Sequence, residues 1–363
     1  FGRLVPGSAS DRRGKGRFGA GLAMMAMFGT SRCGVTGAAI ALLWAALAHA
    51  APAADGPTRI GVYYNDENAV AVARALGVTY LRLHTPIDPP NARALDKIRA
   101  AKAAGFKVEV NYNNREARKS VPVADDAAFK ASLGRDLDAT HPDLVVIQNE
   151  EDGVRFAAGG PTEYLRELTD AVQVAHAKGY KIANGGLSSA GVKLAYWHHL
   201  WLTGQRQAAD EFARDALKPS VSKGRRIIGD IPDRAAPGRA ILTHNPPLLN
   251  KLRRIEPLIA GYRQTGIDYV NFHWYEADAR SMGQVARWLE EAVGVPAISN
   301  EMGQYSANGD QVIALLTEAR AAGMPYVFWF AKDGHGPAVG LAGDDARPRP
   351  NGVAFRAFVA AHR

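Results

Sequence analysis

The sequence predicts an α/β protein built as a (β/α)8 TIM barrel, and three observations predict it. Short β-branched and aromatic runs alternate eight times with longer stretches of helical period. The short runs are apolar over nearly their whole length, as strands of a parallel sheet covered on both faces must be. The stretch after the first run, Tyr63-Tyr64-Asn65-Asp66-Glu67-Asn68, has no glycine-rich turn for a nucleotide. That argues against the competing architecture, a doubly wound open sheet.

In order, the strands read as 59–65, 79–85, 106–113, 143–150, 180–186, 269–275, 296–303 and 326–332. Residues such as Ile60, Val62 and Tyr63 in the first, or Tyr326, Val327, Phe328 and Trp329 in the last, fit a pleated buried surface. The Ala-, Leu-, Arg- and Glu-rich stretches between them read as helices at 68–76, 91–104, 126–139, 161–178, 191–217, 282–293, 311–322 and 353–362. A further helix is expected at 248–264. Gly77, Gly105, Gly179 and Gly323 stand where a left-handed residue would close a helix just before the next strand. Segment 204–245 breaks this rhythm: it is polar, holds several prolines and carries Lys223-Gly224-Arg225-Arg226. It reads as an elaborated loop region within a single catalytic domain spanning 51–363.

Residues 1–50 read as a leader. Residues 35–48 form an apolar run preceded by Arg32 and followed by Ala48-His49-Ala50, the layout of a secretory signal cut after Ala50. The run is shorter than the roughly 20 residues of a membrane span, although an uncleaved anchor is the alternative. Residues 1–23 are low-information sequence, and Met24, Met25 or Met27 is the expected start. The chain is thus expected to be secreted or periplasmic, with no stable membrane insertion after cleavage, and monomeric. Its only cysteine, Cys33, falls in the leader, so the mature chain would hold no disulfide, thiol nucleophile or cysteine-based metal site.

The net charge of +8 gives no sign of nucleic acid. Six basic residues and one acid lie in the first 50 positions; the remainder holds 38 basic and 35 acidic residues, with no block of five like charges.

In a barrel the chemistry sits at the C-terminal ends of the strands. Here strand four ends in Gln148-Asn149-Glu150-Glu151-Asp152, and strand seven in Ser299-Asn300-Glu301-Met302-Gly303. Glu150 and Glu301 would face each other across the barrel mouth. Glycosidic hydrolysis needs such a pair: a protonated carboxyl for the leaving oxygen and an ionised one at the anomeric carbon. Either Glu alone reads equally well as a solvated loop carboxylate; the two together, on matching strands, do not.

With these residues in view, the sequence resembles the clan of retaining (β/α)8 glycoside hydrolases that includes cellulases, mannanases and β-xylosidases. The motif order matches from Arg59 to Arg363: Asn149-Glu150 after strand four, Glu301 ending strand seven, His273-Trp274-Tyr275 on strand six, Trp329 on strand eight and Arg82 on strand two. Gly185-Gly186 after strand five is similar to the β-xylosidase-like members. The chain departs from the clan at Glu151 and Asp152, which crowd the acid/base position. It departs again at Asn111-Tyr112-Asn113-Asn114, where many cellulases carry a histidine. The resemblance implies Glu150 as acid/base, directly after Asn149, and Glu301 as nucleophile. It implies substrate contacts from Arg82, Asn111, Asn149, His273, Tyr275 and Trp329. Asn149 would donate to the sugar 2-hydroxyl, and Tyr275 and Arg82 would hydrogen-bond Glu301. His273 would bond substrate or orient Glu150, and Trp329 would face a sugar ring; a rim histidine and a core aromatic are the plainer readings of those two.

Other features point elsewhere with less force. Trp197, His198, His199 and Trp201 cluster on one predicted helix, where packing is the plainer reading and a sugar-stacking wall the sharper one. Neighbouring histidines diverge on a helix and make a poor metal pair, and no cofactor or metal is expected. Ser188 and Ser189 lack a nucleophile elbow. The loop Asp333-Gly334-His335-Gly336 sits where many barrels bind phosphate, which would suit a phosphosugar isomerase or aldolase; export argues against that. The expected partner is an oligosaccharide or polysaccharide substrate, and Arg225 and Arg226 would suit anionic groups on it. The alternative function is a non-catalytic carbohydrate-binding barrel acting in polysaccharide assembly or recognition.

Overall fold

Eight parallel strands wrap into a barrel in a computed structural model of the chain. They are β1 (Arg59–Tyr63), β2 (Tyr80–Pro86), β3 (Lys107–Asn113), β4 (Leu144–Ile147), β5 (Ile182–Asn184), β6 (Val270–Trp274), β7 (Ala297–Met302) and β8 (Tyr326–Phe330). The structure describes residues 56–362 apart from 88–90, 117–118, 218–220, 223–224, 227–245 and 333–338. The leader with Cys33, the loop 333–336 and the side chains of Arg225 and Arg226 lie outside the described residues. Among those described, no helix is long and apolar enough to cross a membrane.

The helices are α1 (Ala69–Leu76), α2 (Ala92–Ala103), α3 (Asp126–Thr140), α4 (Pro161–Ala177), α5 (Ser189–Leu202), α6 (Arg206–Ala216), α7 (Pro246–Thr265), α8 (Ala279–Val293), α9 (Gly309–Ala321) and α10 (Pro350–Ala361). The four expected glycines do take left-handed geometry at φ 73–88°. The single helix expected over 191–217 is two. Gly204, at φ 79°, breaks it between α5 and α6.

Neighbouring strands pair in sequence order from β6 through β8 to β1 and on to β5. The remaining seam, between β5 and β6, carries only the bridges Ala183–Tyr269 and Leu187–Phe272. Two asparagines stitch it. Asn271 N donates to Asn184 Oδ1 at 2.6 Å, Asn271 Nδ2 to Asn184 O at 3.1 Å, and Asn184 Nδ2 to Asn271 O at 3.0 Å. Asn271 Oδ1 then accepts from Asn300 N on β7. Side-chain amides, each both donor and acceptor, thus satisfy backbone groups that the ladder leaves open.

Two apolar layers result. The large one lies between the strands and the helices and includes Val62, Val110, Ile147, Trp274 and Trp329. A small plug of Leu144, Val146, Ala183, Ile298, Tyr326 and Phe328 fills the lower barrel interior. Gly61 makes room for it: a Cβ there would stand 2.6 Å from the Phe328 ring. Above this plug the interior turns polar, and the site begins.

Asn271→Ala would leave Asn184 O and Asn300 N short of partners inside the barrel. Urea unfolding should show a loss of about 2–4 kcal/mol. A change below about 0.5 kcal/mol would mean the backbone bridges alone close the seam.

Candidate active site

Strand four ends early, and the reason lies in its backbone. Gln148 and Glu150 take φ of 69° and 47°, a region in which a non-glycine residue costs about 1–3 kcal/mol and persists only when its surroundings hold it. Here they do. Gln148 Oε1 accepts from Ser120 Oγ and from Asn114 N, and its Nε2 donates to Glu167. Its carbonyl takes the Asn111 Nδ2 hydrogen at 2.6 Å.

The three crowded acids go to different places. Glu150 enters the barrel mouth, with Oε1 3.2 Å from His273 Nδ1. Glu151 turns into the helical layer, where its Oε1 accepts from Asn184 Nδ2 at 2.7 Å and the Tyr262 hydroxyl at 2.5 Å. Burial pushes its carboxyl up to about 7 against these hydrogen bonds. Asp152 is bound by Ser188 N and Oγ and faces Lys251. Glu150 is therefore the acid that reaches the mouth.

Glu301 has different surroundings. Arg82 Nη1 donates to its Oε2 at 2.8 Å, and the Tyr275 hydroxyl to its Oε1 at 2.7 Å. Burial by itself would raise this carboxyl. The nearby charges of His273 and Arg82, with the hydrogen bonds from Tyr275 and Arg82, outweigh that and hold it below the ordinary glutamate value. Arg82 is itself fully buried. Besides Glu301 it reaches Asn300 O at 2.8 Å, Asn149 Oδ1 at 3.0 Å and Glu109 Oε1 at 3.6 Å, with its guanidinium 4.2 Å from the centre of the Tyr63 ring. Because Asn149 Oδ1 is taken, its Nδ2 is the end left to donate outward.

Of the eight residues singled out from the sequence, Arg82, Asn149, Glu150, His273, Tyr275 and Glu301 come together here. Asn111 instead braces the end of strand four, donating to the Gln148 carbonyl and accepting from Asn113 Nδ2. Trp329 does not join them. Strand alternation sends it outward to pack on Phe355 of α10, with ring centres 6.1 Å apart. Its neighbour Phe330 points inward instead, against Tyr63 and Tyr275.

The sequence reading missed Glu109, Asn300, Gln148 and Tyr305. A lone Glu in the apolar run Val108-Glu109-Val110 was a usable signal. Tyr305, 38% exposed, stacks on Tyr275, and nothing in the local sequence marks it. Gly186, at φ 98°, lies so close to the His273 ring that a Cβ would fall 2.3 Å from Nε2.

The α5 cluster packs. Trp197 is fully buried and stacks on Trp201, while His198 bonds Glu256. Among the described residues no group of three His, Cys, Asp or Glu side chains could hold a metal ion.

No protein-family model matches the chain, and no curated protein matches it. Solved structures do. A glucosidase from Croceicoccus marinus is similar at TM-score 0.56 and 11% identity, over 83% of this chain and 66% of that one. A broad-specificity endoglucanase from Clostridium longisporum gives 0.49 and 11%, over 83% and 87%. An endo-β-1,3-glucanase from Amycolatopsis mediterranei gives 0.46 and 14%, over 83% and 99%. All three are (β/α)8 glycoside hydrolases. At these identities the likeness shows the fold alone, and the chain spans less than two thirds of the glucosidase.

Two outcomes are expected. Gly186→Ala should displace the His273 ring and lower the melting temperature by several degrees; an unchanged melting temperature would show that the loop yields freely. Burial also raises Glu167, to about 8. A carboxyl raised on folding contributes stability that is full below its unfolded value, near 4.5, and is lost as pH climbs through 8. Melting temperatures measured from pH 5 to 8.5 should therefore fall less steeply for Glu167→Gln than for the unaltered chain, and parallel curves would contradict this.

Proposed function

We propose that the chain is a retaining glycoside hydrolase acting on β-glycosidic bonds of an oligo- or polysaccharide, with Glu301 as nucleophile and Glu150 as acid/base. One observation carries the reading: the two carboxylates have opposite surroundings. Glu301 is held ionised and aimed by a buried arginine and a tyrosine. Glu150 meets His273 and keeps 19% of its side chain exposed, as a group that trades protons with substrate and water must.

In the first step Glu301 bonds to the anomeric carbon as the bond to the leaving oxygen breaks, and Glu150 gives that oxygen its proton. In the second, water attacks the anomeric carbon, the bond to Glu301 breaks, and the water proton passes to Glu150. Asn149 Nδ2, fixed by Arg82, is placed to donate to the sugar 2-hydroxyl, a contact that strengthens in the oxocarbenium-like transition state. The apolar faces of Phe330 and Tyr305 would border the ring. The fold shared with a glucosidase supports this reading.

Aryl β-glycosides and β-linked oligosaccharides, with product configuration followed by NMR, test it. The first-formed sugar should retain the β configuration. Glu301→Gln should lose about 10³-fold or more in kcat. Glu150→Ala should lose about 10²–10⁴-fold on alkyl leaving groups and far less on dinitrophenyl ones. Binding without release of reducing ends, unchanged in Glu150→Gln, would leave a carbohydrate-binding barrel instead.

A further inference from the structure

Two buried groups take no direct part in this double displacement: the Glu109 carboxyl of β3 and the Asn300 amide of β7, at 1% and 0% exposure. Asn300 Nδ2 donates to Glu109 Oε1 at 2.9 Å, and its Oδ1 lies 3.0 Å from His273 Nε2. A primary amide has one donor end and one acceptor end. With the donor end committed to a carboxyl oxygen, His273 meets the acceptor end, so Nε2 must carry hydrogen. Protonation of Glu109 does not undo this. Arg82 Nε also faces Oε1, at 3.6 Å, whereas Oε2 has no hydrogen-bond partner among the described residues and is where a proton would sit.

We infer that Glu109 is a positioning residue which, through Asn300, commits His273 Nε2 as a donor, so that His273 supports the acid Glu150 only as an imidazolium. With Nε2 committed, Nδ1 bears a second hydrogen only when the ring is charged. The charged ring donates to Glu150 Oε1 and leaves Oε2 to hold the acid proton toward the leaving oxygen. Once the ring is neutral, Nδ1 is an acceptor and draws that proton to Oε1, away from the sugar. The alkaline limit of the acid step then follows His273.

The charged groups facing this ring are Glu150 after β4, Glu301 on β7 and Arg82 on β2, with Glu109 on β3 beyond them. Burial disfavours the imidazolium, and Arg82 opposes it as well. The two glutamates outweigh both and raise His273 above its ordinary value. Gly186 leaves this ring its room, since a Cβ there would fall 2.3 Å from Nε2.

The inference rests on the proposed double displacement only for its kinetic arm. Nitrogen NMR of the full chain with 15N-labelled histidine reads the ring with no substrate present. His273 should carry hydrogen on both nitrogens at low pH and lose it from Nδ1 as pH rises, leaving the Nε2–H form. In Glu109→Gln, whose amide can offer Asn300 either a donor or an acceptor, the Nδ1–H form should appear at high pH.

The kinetic arm is kcat/KM on an alkyl glycoside. One unit above the His273 titration the unaltered enzyme should keep about one-tenth of its plateau. Glu109→Gln, whose neutral ring can still donate through Nδ1, should keep more than half of its own. A merely structural Glu109 would lower stability and move neither readout. An Nδ1–H ring in the unaltered chain overturns the inference, as does a Glu109→Gln spectrum and pH profile that track the unaltered ones. Should that variant not fold, Asn300→Ala cuts the same connection one residue further on, and the unaltered spectrum still decides the tautomer. A chain that cleaves no glycoside yet shows the expected spectra would sink the hydrolase reading and leave the tautomer assignment standing.

Discussion

A guanidinium sealed inside a barrel is the constraint on which the rest of this site depends. Arginine does not give up its proton in a protein, so Arg82 had to bring acceptors inward with it. It has them on several sides: Glu301 Oε2, Asn300 O, Asn149 Oδ1, Glu109 beneath and the face of Tyr63. These contacts fix the groups at the barrel mouth. The bond to Glu301 sets that carboxylate's charge and direction. The bond to Asn149 decides which end of the amide looks out of the barrel. Burying a charge this way is weak evidence for stability, because desolvation offsets most of the attraction. Its value lies in groups that are already oriented when substrate arrives.

The barrel accommodates this charge by dividing its interior. Below Arg82 the plug of Val146, Ala183, Ile298 and Phe328 is apolar and excludes water. Across β5, β6 and β7 the asparagines 184, 271 and 300 pass hydrogen bonds from strand to strand. Short amide side chains suit that task, since they bond sideways to backbone groups without filling the mouth. These residues close the weakest seam of the sheet and support the histidine beside Glu150, so strand pairing and site geometry share their parts.

Strand four shows where local strain serves the site. Leu144 and Val146 face inward and Val145 and Ile147 outward, so an ordinary extended ending would have left Asn149 on the outward face. Two departures into the left-handed region, at Gln148 and Glu150, bring Asn149 round to Arg82 as well. The Gln148 side chain, bonded to Ser120, Asn114 and Glu167, keeps the turn in place. Glu167 is a buried carboxyl away from the mouth, yet through Gln148 it helps to hold the turn that carries Asn149 and Glu150.

The sequence by itself determined the eight strand–helix units, the glycine caps and the six residues that meet at the mouth. Polar side chains at the ends of apolar strands are readable, because nothing else in a buried parallel sheet tolerates them. Tertiary structure decided the rest. Strands covered on both faces are apolar on both, so no periodicity tells which of Trp329 and Phe330 looks inward; closure of the barrel sent Trp329 to α10. Glu109 stood out in its strand, but its use depends on Asn300 and Arg82, which reach it from strands far away in sequence. That Asn149 and Glu150, adjacent in sequence, both reach the mouth depended on a left-handed turn by non-glycine residues. No local propensity favours such a turn, and only bonds to distant side chains hold it.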